Sequence, residues 1–236
     1  MLGFKQALRF ALVLLVATST CHVTATSTDF ENQKQSNDAT QSLNSRGGLI
    51  RRAPPPGALN FNSSQWIWTT ELINPPNGSA PIGSRAFRKT FILPAGKVPV
   101  SLSIVFAVDN LAVLWVNGNQ VANQVGWVNP VAYCVSLQGC GCCGGGAVPL
   151  LIAFNATNQG SPAGLLVSAL VKYSDNSTSP IVSDGSWRTN ISGVPDGFQY
   201  LSFDDSTWEL AETEGGNGAG PWGNISISGP NPPTGC

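Results

Sequence analysis

Apolar residues in this chain recur with the two-residue period of β-strands, and this pattern limits the fold more than any other feature. Clusters of turn residues at 94–96, 116–119, 174–177 and 183–186 separate the strand-like runs. We find no amphipathic helix of useful length, so we predict an all-β fold, a jelly-roll β-sandwich. The candidate strands are Arg85–Leu93, Val100–Val108, Leu111–Val116, Val148–Phe154, Gly164–Tyr173, Ile181–Val182, Ser186–Ile191, Phe198–Phe203 and Gly223–Ile227.

The N-terminus has the pattern of an export signal. Lys5 and Arg9 precede an apolar run at 10–17, and small residues follow up to a cleavage edge at Ala25. We therefore predict a signal peptide at 1–25 and a secreted, extracellular product. A retained signal anchor is the alternative. No later apolar run reaches the length of about 20 residues that a membrane-spanning helix needs, so no membrane span is expected.

Residues 26–52 are rich in Gln, Asn, Ser and Asp, a composition that buries too little apolar surface to order itself. This stretch ends at Arg51 and Arg52, which are similar to the dibasic sites that kexin-like proteases cut. We predict a disordered propeptide at 26–52; two solvated arginines in a linker are the alternative. A Pro-rich spacer at 53–61 then leads into a domain at 62–228, and a short tail occupies 229–236.

The predicted mature chain from residue 53 has six basic and ten acidic residues, a net charge of 6 − 10 = −4. No basic patch is present for nucleic acid. Six N-glycosylation sequons fall mostly among turn residues, although the one at Asn155 lies in a strand-like run that is too deep for modification if it is buried. The sequons begin at Asn62, Asn77, Asn155, Asn176, Asn190 and Asn224.

Five cysteines remain after the predicted signal peptide, an odd number for an exported chain. We expect disulfides that staple a long loop and the C-terminal tail, with a connectivity that the sequence leaves open. A metal–thiolate cluster is the alternative, but no second Cys/His group stands at zinc spacing. The disulfide candidates are Cys134, Cys140, Cys142, Cys143 and Cys236.

The only histidine, His22, lies inside the predicted signal peptide. The mature chain therefore lacks the imidazole of Ser-His-Asp and Cys-His catalysis and of histidine metal sites. Glycoside hydrolysis needs only two carboxylates, for which Glu71, Asp109 and Asp204 are candidates, but no spacing identifies an acid and a base. We predict a binding module rather than an enzyme.

Several motifs resemble the galactose-binding-domain-like jelly rolls appended to rhamnosidases and β-galactosidases, including stand-alone secreted versions in filamentous fungi. The resemblance covers about 62–227 and implies the fold, with catalysis in these glycosidases residing in another domain. Such modules bind sugars in some proteins and brace a catalytic domain in others, so the resemblance implies a non-catalytic, lectin-like role only loosely. The motifs are Trp66-Ile67-Trp68, residues 86–91, residues 108–118, residues 182–188, residues 203–208 and Pro221-Trp222-Gly223.

We expect five tryptophans of these motifs to lie in the core: Trp66, Trp68, Trp115, Trp187 and Trp208. Trp127 differs because it lies in a polar loop, where an exposed indole suits the apolar face of a sugar. Together with Asn129 and Tyr133 it forms our candidate carbohydrate site.

Two acidic motifs have alternative interpretations. We expect Asp109 and Asn110 to bond local backbone at a strand junction, with contact to ligand hydroxyls as the alternative. Asp204 and Asp205 are expected to form a turn that sets Trp208 against the sheet. A structural calcium there is the alternative, and no cofactor is otherwise predicted.

Two functions remain. The first is a secreted lectin-like module that binds a glycan or polysaccharide of cell walls or the extracellular space. The second is an effector or surface scaffold that binds a host or cell-surface protein.

Overall fold

In the described part of the chain, the fold consists of thirteen strands in two antiparallel sheets, with one short 3₁₀ helix at Thr70–Ile73. The computed structural model describes residues 25–26, 59–73, 79–137, 149–160 and 162–227. The strands in chain order are β1 Ala25–Thr26, β2 Gln65–Trp68, β3 Gly83–Ile92, β4 Pro99–Asp109, β5 Leu111–Val116, β6 Asn119–Val125, β7 Ala132–Ser136, β8 Pro149–Asn158, β9 Gly164–Tyr173, β10 Thr178–Val182, β11 Arg188–Asn190, β12 Glu209–Leu210 and β13 Glu212–Gly216.

The two sheets face each other and confirm the predicted β-sandwich. The seven-stranded sheet has the order β1-β7-β4-β9-β2-β13, with β10 also paired to β9. The six-stranded sheet has the order β12-β11-β3-β8-β5-β6. The chain crosses from one sheet to the other between β4 and β5, where Asp109 ends one strand and Leu111 begins the next.

The core between the sheets takes alternate side chains from both. Trp68 meets Phe87 across it with ring centroids 5.2 Å apart, and Phe106 meets Phe154 edge-on at 4.9 Å. Five strand candidates, now β3, β4, β5, β8 and β9, are confirmed with shifts of a few residues at their ends. Long apolar runs in β4, β8 and β9 are buried on both faces, because apolar clusters also cover the outer sides of the sheets.

The outer clusters explain two strand predictions that were wrong. Residues 198–203 form turns and residues 223–227 form no strand. Phe198 covers the outer face of the six-stranded sheet together with Trp208, and Ile225 covers the other sheet beside Trp222. Their apolar side chains therefore cover the outer faces of the sheets, and their backbones do not pair as strands.

The prediction that Trp115 lies in the core is also wrong, since its side chain is half-buried on the outer face of the six-stranded sheet. Its ring meets Phe198 edge-on at 5.3 Å. The Asn-Gly turn beside it is confirmed: Asn117 and Gly118 have φ of 47° and 83°, as a tight hairpin requires. The other four motif tryptophans are buried, although Trp66 and Trp208 belong to the outer clusters of the seven-stranded and six-stranded sheets, respectively.

Arg88 fixes the segment that covers the six-stranded sheet. Its side chain is 2% exposed, and its Nε donates to Asp205 Oδ2 at 2.7 Å. Its other nitrogens donate to the carbonyls of Phe198, Tyr200 and Phe203. The expected turn is confirmed, because Asp204 Oδ1 accepts from the backbone N–H of Ser206 at 2.9 Å. Asp205 is thus paired with Arg88, whereas Asp204 forms the turn.

Most of the predicted processing region lies outside the described residues, as do the spacer up to residue 58 and the tail at 229–236. The exception is β1, whose Ala25 and Thr26 pair with Val135 and Cys134 of β7 at the predicted signal-cleavage edge. Cys134 is buried and disulfide-bonded. The other four disulfide candidates, Cys140, Cys142, Cys143 and Cys236, are outside the described residues. Within the described ranges, no helix is long and apolar enough to span a membrane.

Candidate functional site

The β4–β5 junction is the best-anchored polar element at the rim of the sandwich. Asp109 and Asn110 are joined by a cis peptide bond. The Asn110 N–H donates to the carbonyl of Thr157 at 3.1 Å, and the Asn110 carbonyl accepts from the Gly126 N–H at 2.7 Å. Gly126 has a φ of 75°, a conformation that glycine adopts without strain. The hydrogen bond from Gly126 therefore attaches the loop after β6 to the β4–β5 junction.

The Asp109 carboxylate lies beneath this rim and is 2% exposed. Its Oδ2 accepts a hydrogen bond from the indole N–H of Trp222 at 3.0 Å, and its Oδ1 accepts from the amide of Asn110 at 2.6 Å. Burial raises the pKa of Asp109, while the bond from Trp222 opposes that shift. Two neutral donors, rather than an arginine or a lysine, thus hold this carboxylate.

Glu214 on β13 adds a second carboxyl group close to Asp109. Burial, followed by the charge of Asp109, raises the pKa of Glu214 to about 8. Its Oε1 is buried and has no hydrogen-bond partner among the described residues, as is also true of Gln124 Oε1. Gln124 uses its amide nitrogen to donate to the Gly126 carbonyl at 3.3 Å. Two buried acceptors near the rim, Glu214 Oε1 and Gln124 Oε1, therefore lack a hydrogen-bond donor among the described residues.

Stacked indoles form the floor next to these carboxyl groups. The rings of Trp66 and Trp222 lie 4.1 Å apart at 23°. A Cβ at Gly164 would lie 2.7 Å from Trp222 Cζ2 and 2.8 Å from Trp66 Cε3, so only glycine fits there. Trp127 packs against the same cluster. Because Trp66 and Trp222 are buried, their stack supports the rim from below, and the half-buried Trp127 presents aromatic surface to a ligand there.

Comparison with solved structures agrees with this architecture. A lectin from Pleurotus ostreatus, crystallised with GalNAc and also in its apo form, is 36% identical over 73% of this chain, with a TM-score of 0.61. An α-L-rhamnosidase from Streptomyces avermitilis, crystallised with L-rhamnose, is 28% identical over 75% of this chain, with a TM-score of 0.60. The chain is similar in fold and sequence to these proteins, as a galactose-binding-like β-sandwich module would be. No protein-family model and no curated protein sequence matches it.

The module spans only part of these relatives. It covers 49% of the GalNAc-bound lectin chain, 48% of the apo chain and 17% of the rhamnosidase chain. The predicted resemblance to galactose-binding-like jelly rolls is confirmed. That this is a stand-alone, secreted form stays a prediction.

Of the three predicted sugar-binding residues, the structure brings only Trp127 and Asn129 to the rim loop. Asn129 is exposed, whereas Trp127 is half-buried rather than fully exposed, because its ring packs on the outer cluster. Tyr133 packs against the core between the sheets, and its ring centroid is 6.0 Å from that of Phe106. Since outer and inner side chains alternate along β7, Tyr133 and Trp127 do not form one aromatic surface. Burial raises the pKa of the Tyr133 hydroxyl.

The three candidate carboxylates have separate partners. Glu71 is held by Arg85 through two bonds of 2.6 and 2.7 Å, and the hydrogen bond from Arg85 lowers the pKa of Glu71. The backbone N–H of Ser206 lowers the pKa of Asp204. Only Asp109 belongs to the rim. The prediction that Asp109 and Asn110 bond local backbone is wrong: the Oδ1 of Asn110 accepts from the N–H of Gln159, 49 residues away, at 2.7 Å, and the carboxylate of Asp109 accepts from side chains.

Sequence reasoning missed Glu214 and Gln124 altogether and treated Trp222 only as part of a family motif. Trp222 precedes a glycine in a turn-rich segment and bonds to a residue 113 positions earlier. Glu214 belongs to the polar, glycine-containing segment Glu212–Gly216. Nothing local shows that this carboxyl group is buried.

Proposed function

We propose that the module binds a neutral carbohydrate, without catalysis, at the rim formed by Asn110 and the loop 126–129, above the buried carboxylate of Asp109. The observation that carries this proposal is the 36% identity, over 73% of the chain, to a lectin crystallised with GalNAc. Because the module spans about half of that lectin, the identity of the sugar is a matter for experiment. A secreted product acting on cell-wall or extracellular glycans fits the predicted export signal.

The polar groups of the rim suit hydroxyl recognition. The Asn110 amide donates one N–H to Asp109, and its second N–H has no partner among the described residues. Asn129 adds an exposed amide, and the half-buried indole of Trp127 offers an apolar surface beside it. Amides bond to sugar hydroxyls while an indole covers the C–H face of a pyranose ring.

The charge pattern favours a neutral ligand over an ionic partner. No Asp, Glu, Lys, Arg or His occurs between Asn110 and Val171, a range that includes the loops after β4, β6 and β8. Recognition of a charged ligand would need a fixed counter-charge. The uncharged loops therefore support binding through hydroxyl groups and apolar faces.

A glycan array tests this function. The full chain is expressed in a secretory host, so that disulfides form, and is applied with soluble GalNAc and L-rhamnose as the first competitors. The dense display on an array reveals sites that are weak for single sugars. Selective binding that a soluble sugar competes away supports the proposal. A blank array with folded protein contradicts it and favours the alternative of a protein-binding scaffold.

A further inference from the structure

Strand β6 is an open sheet edge. It ends the order of the six-stranded sheet, and among the described residues only β5 pairs with it. Its sequence, Asn-Gln-Val-Ala-Asn-Gln-Val, contains neither a charge nor a proline. Gln120, Asn123 and Val125 are exposed, and Val125 is 79% exposed. An uncharged edge strand of this length is a template for pairing with another chain.

The other edges in the described structure carry features that discourage such pairing. The edge strand β10 contains Pro180, which lacks a backbone donor. Strand β13 carries Glu212 and Glu214, and the two-residue β12 carries Glu209. Strand β7, which is two residues shorter than β6, pairs in part with β1, whose residues lie in the predicted processing region. Among the described edge strands, β6 is therefore the longest that has neither a charge nor a proline.

The surroundings of β6 suit a second copy of the same chain. Strands β5, β6, β7 and β8 contain no charged residue, so two copies meet there without like-charge repulsion. At the end of β6, Val125 is continued by Val128 and Val131, which are 67% and 51% exposed. Exposed apolar groups at an unpaired edge supply the area that backbone pairing alone lacks.

We propose that the protein self-associates through β6. The two copies pair their β6 strands antiparallel about a two-fold axis, which joins two six-stranded sheets into one continuous sheet. The register shift between Leu114 and Trp115 interrupts regular pairing near the start of β6. The new ladder is therefore centred on Ala122–Val125, the regular half of the strand.

Antiparallel pairing also determines where the binding rims of the two copies lie relative to each other. This consequence rests on the proposed function. Each β6 runs toward its own rim loop at 126–129, so the paired strands place the two rims at opposite ends of the shared edge. Such a dimer cross-links glycan-bearing particles instead of binding one surface twice.

Sedimentation of the full chain over a wide concentration range tests the association. The wild type is expected at twice the mass of one chain. Val125→Lys and Asn123→Lys, which place a charge on the edge, are expected at the mass of one chain. Leu210→Lys is the matched control, because Leu210 is 50% exposed on β12 at the other edge of the same sheet. A monomeric wild type, or a dimer that persists in both β6 variants, overturns the proposal.

Hydrogen exchange on the wild type tests the self-association independently, even if a β6 variant fails to fold. Amides of β6 should gain protection as concentration rises, and unchanged protection overturns the association. Agglutination of glycan-coated beads is then lost in Val125→Lys while binding to single beads persists. Absence of glycan binding in every form contradicts the proposed function but leaves the sedimentation result intact.

Discussion

The indole N–H of Trp222 donates a hydrogen bond to the buried carboxylate of Asp109, 113 residues earlier in the chain, over 3.0 Å. This bond fastens the C-terminal segment to the β4–β5 junction, and the stack of Trp222 on Trp66 extends the contact to β2. Three distant parts of the chain therefore meet beneath the proposed binding rim.

Trp222→Phe should destabilise the protein by about 1–3 kcal/mol through the lost bond, because it leaves a buried carboxylate with one donor fewer. Trp66→Phe is the matched control. Trp66 lies in the same stack and is also buried, but its indole nitrogen has no partner among the described residues. Urea unfolding of both variants measures the difference, and equal losses would show that the Trp222–Asp109 bond contributes nothing.

Glu214 should make stability fall as pH rises. The pKa of Glu214 is raised from 4.5 to about 8 in the folded state, so between these values the folded chain binds more protons than the unfolded chain. The free energy of unfolding therefore decreases across that window and levels off above it. Burial raises the pKa of Asp109 as well, which acts in the same direction.

Glu214→Gln removes the titrating proton and should flatten the dependence between about pH 5 and pH 8. Urea midpoints across this range provide the measurement. A wild type whose stability rises through the window, or a variant with an unchanged slope, would contradict the assignment. The lowered pKa values of Glu71 and Asp204 affect stability only at more acidic pH.

Arg88→Met should destabilise the protein by about 3 kcal/mol, because it removes a buried charge from Asp205 and three hydrogen bonds from the carbonyls of 198–203. Lys97→Met is the control, since Lys97 and Asp175 form an exposed ion pair that contributes little. Thermal unfolding compares the two variants. Similar small effects would mean that Arg88 does not hold the covering segment in place.

Glycopeptide mapping of the secreted protein should find N-glycans on Asn176 and not on Asn155. Asn176 is exposed at the β9–β10 turn. Asn155 lies inside β8, between Ala86 of β3 and Val113 of β5, with its Oδ1 buried. Access of the modifying enzyme requires a protruding asparagine. A fully occupied Asn155 would show that this strand is exposed when glycans are added.

The sequence predicts the central strands because their pattern reflects their own burial. Apolar and β-branched residues mark β3, β4, β5, β8 and β9, and the Asn117-Gly118 turn follows from its backbone conformation. Inferring a strand from apolar residues fails around Phe198 and Ile225, because their side chains cover the outer face of a sheet. It also misses β6, whose amides and valines give no strong apolar alternation.

The candidate site was only partly predictable, for a physical reason. Trp127 and Asn129 stand out as an aromatic residue and an amide in a polar loop. The placement of Tyr133 depends on which face of β7 packs against the core, and the contacts of Trp222 and Glu214 depend on tertiary packing. Local patterns carry no information about partners that are more than a hundred residues apart.

Calorimetric titration with the sugar that competes best on the array tests the central claim most directly. Asn110→Ala and Trp127→Ala should each weaken binding about tenfold or more, a loss of about 1.4 kcal/mol, because each removes a contact at the rim. Gln120→Ala, which removes an exposed amide at the far end of β6, should bind like the wild type. Undiminished affinity in both rim variants, with their folds intact, would contradict the assignment of the site.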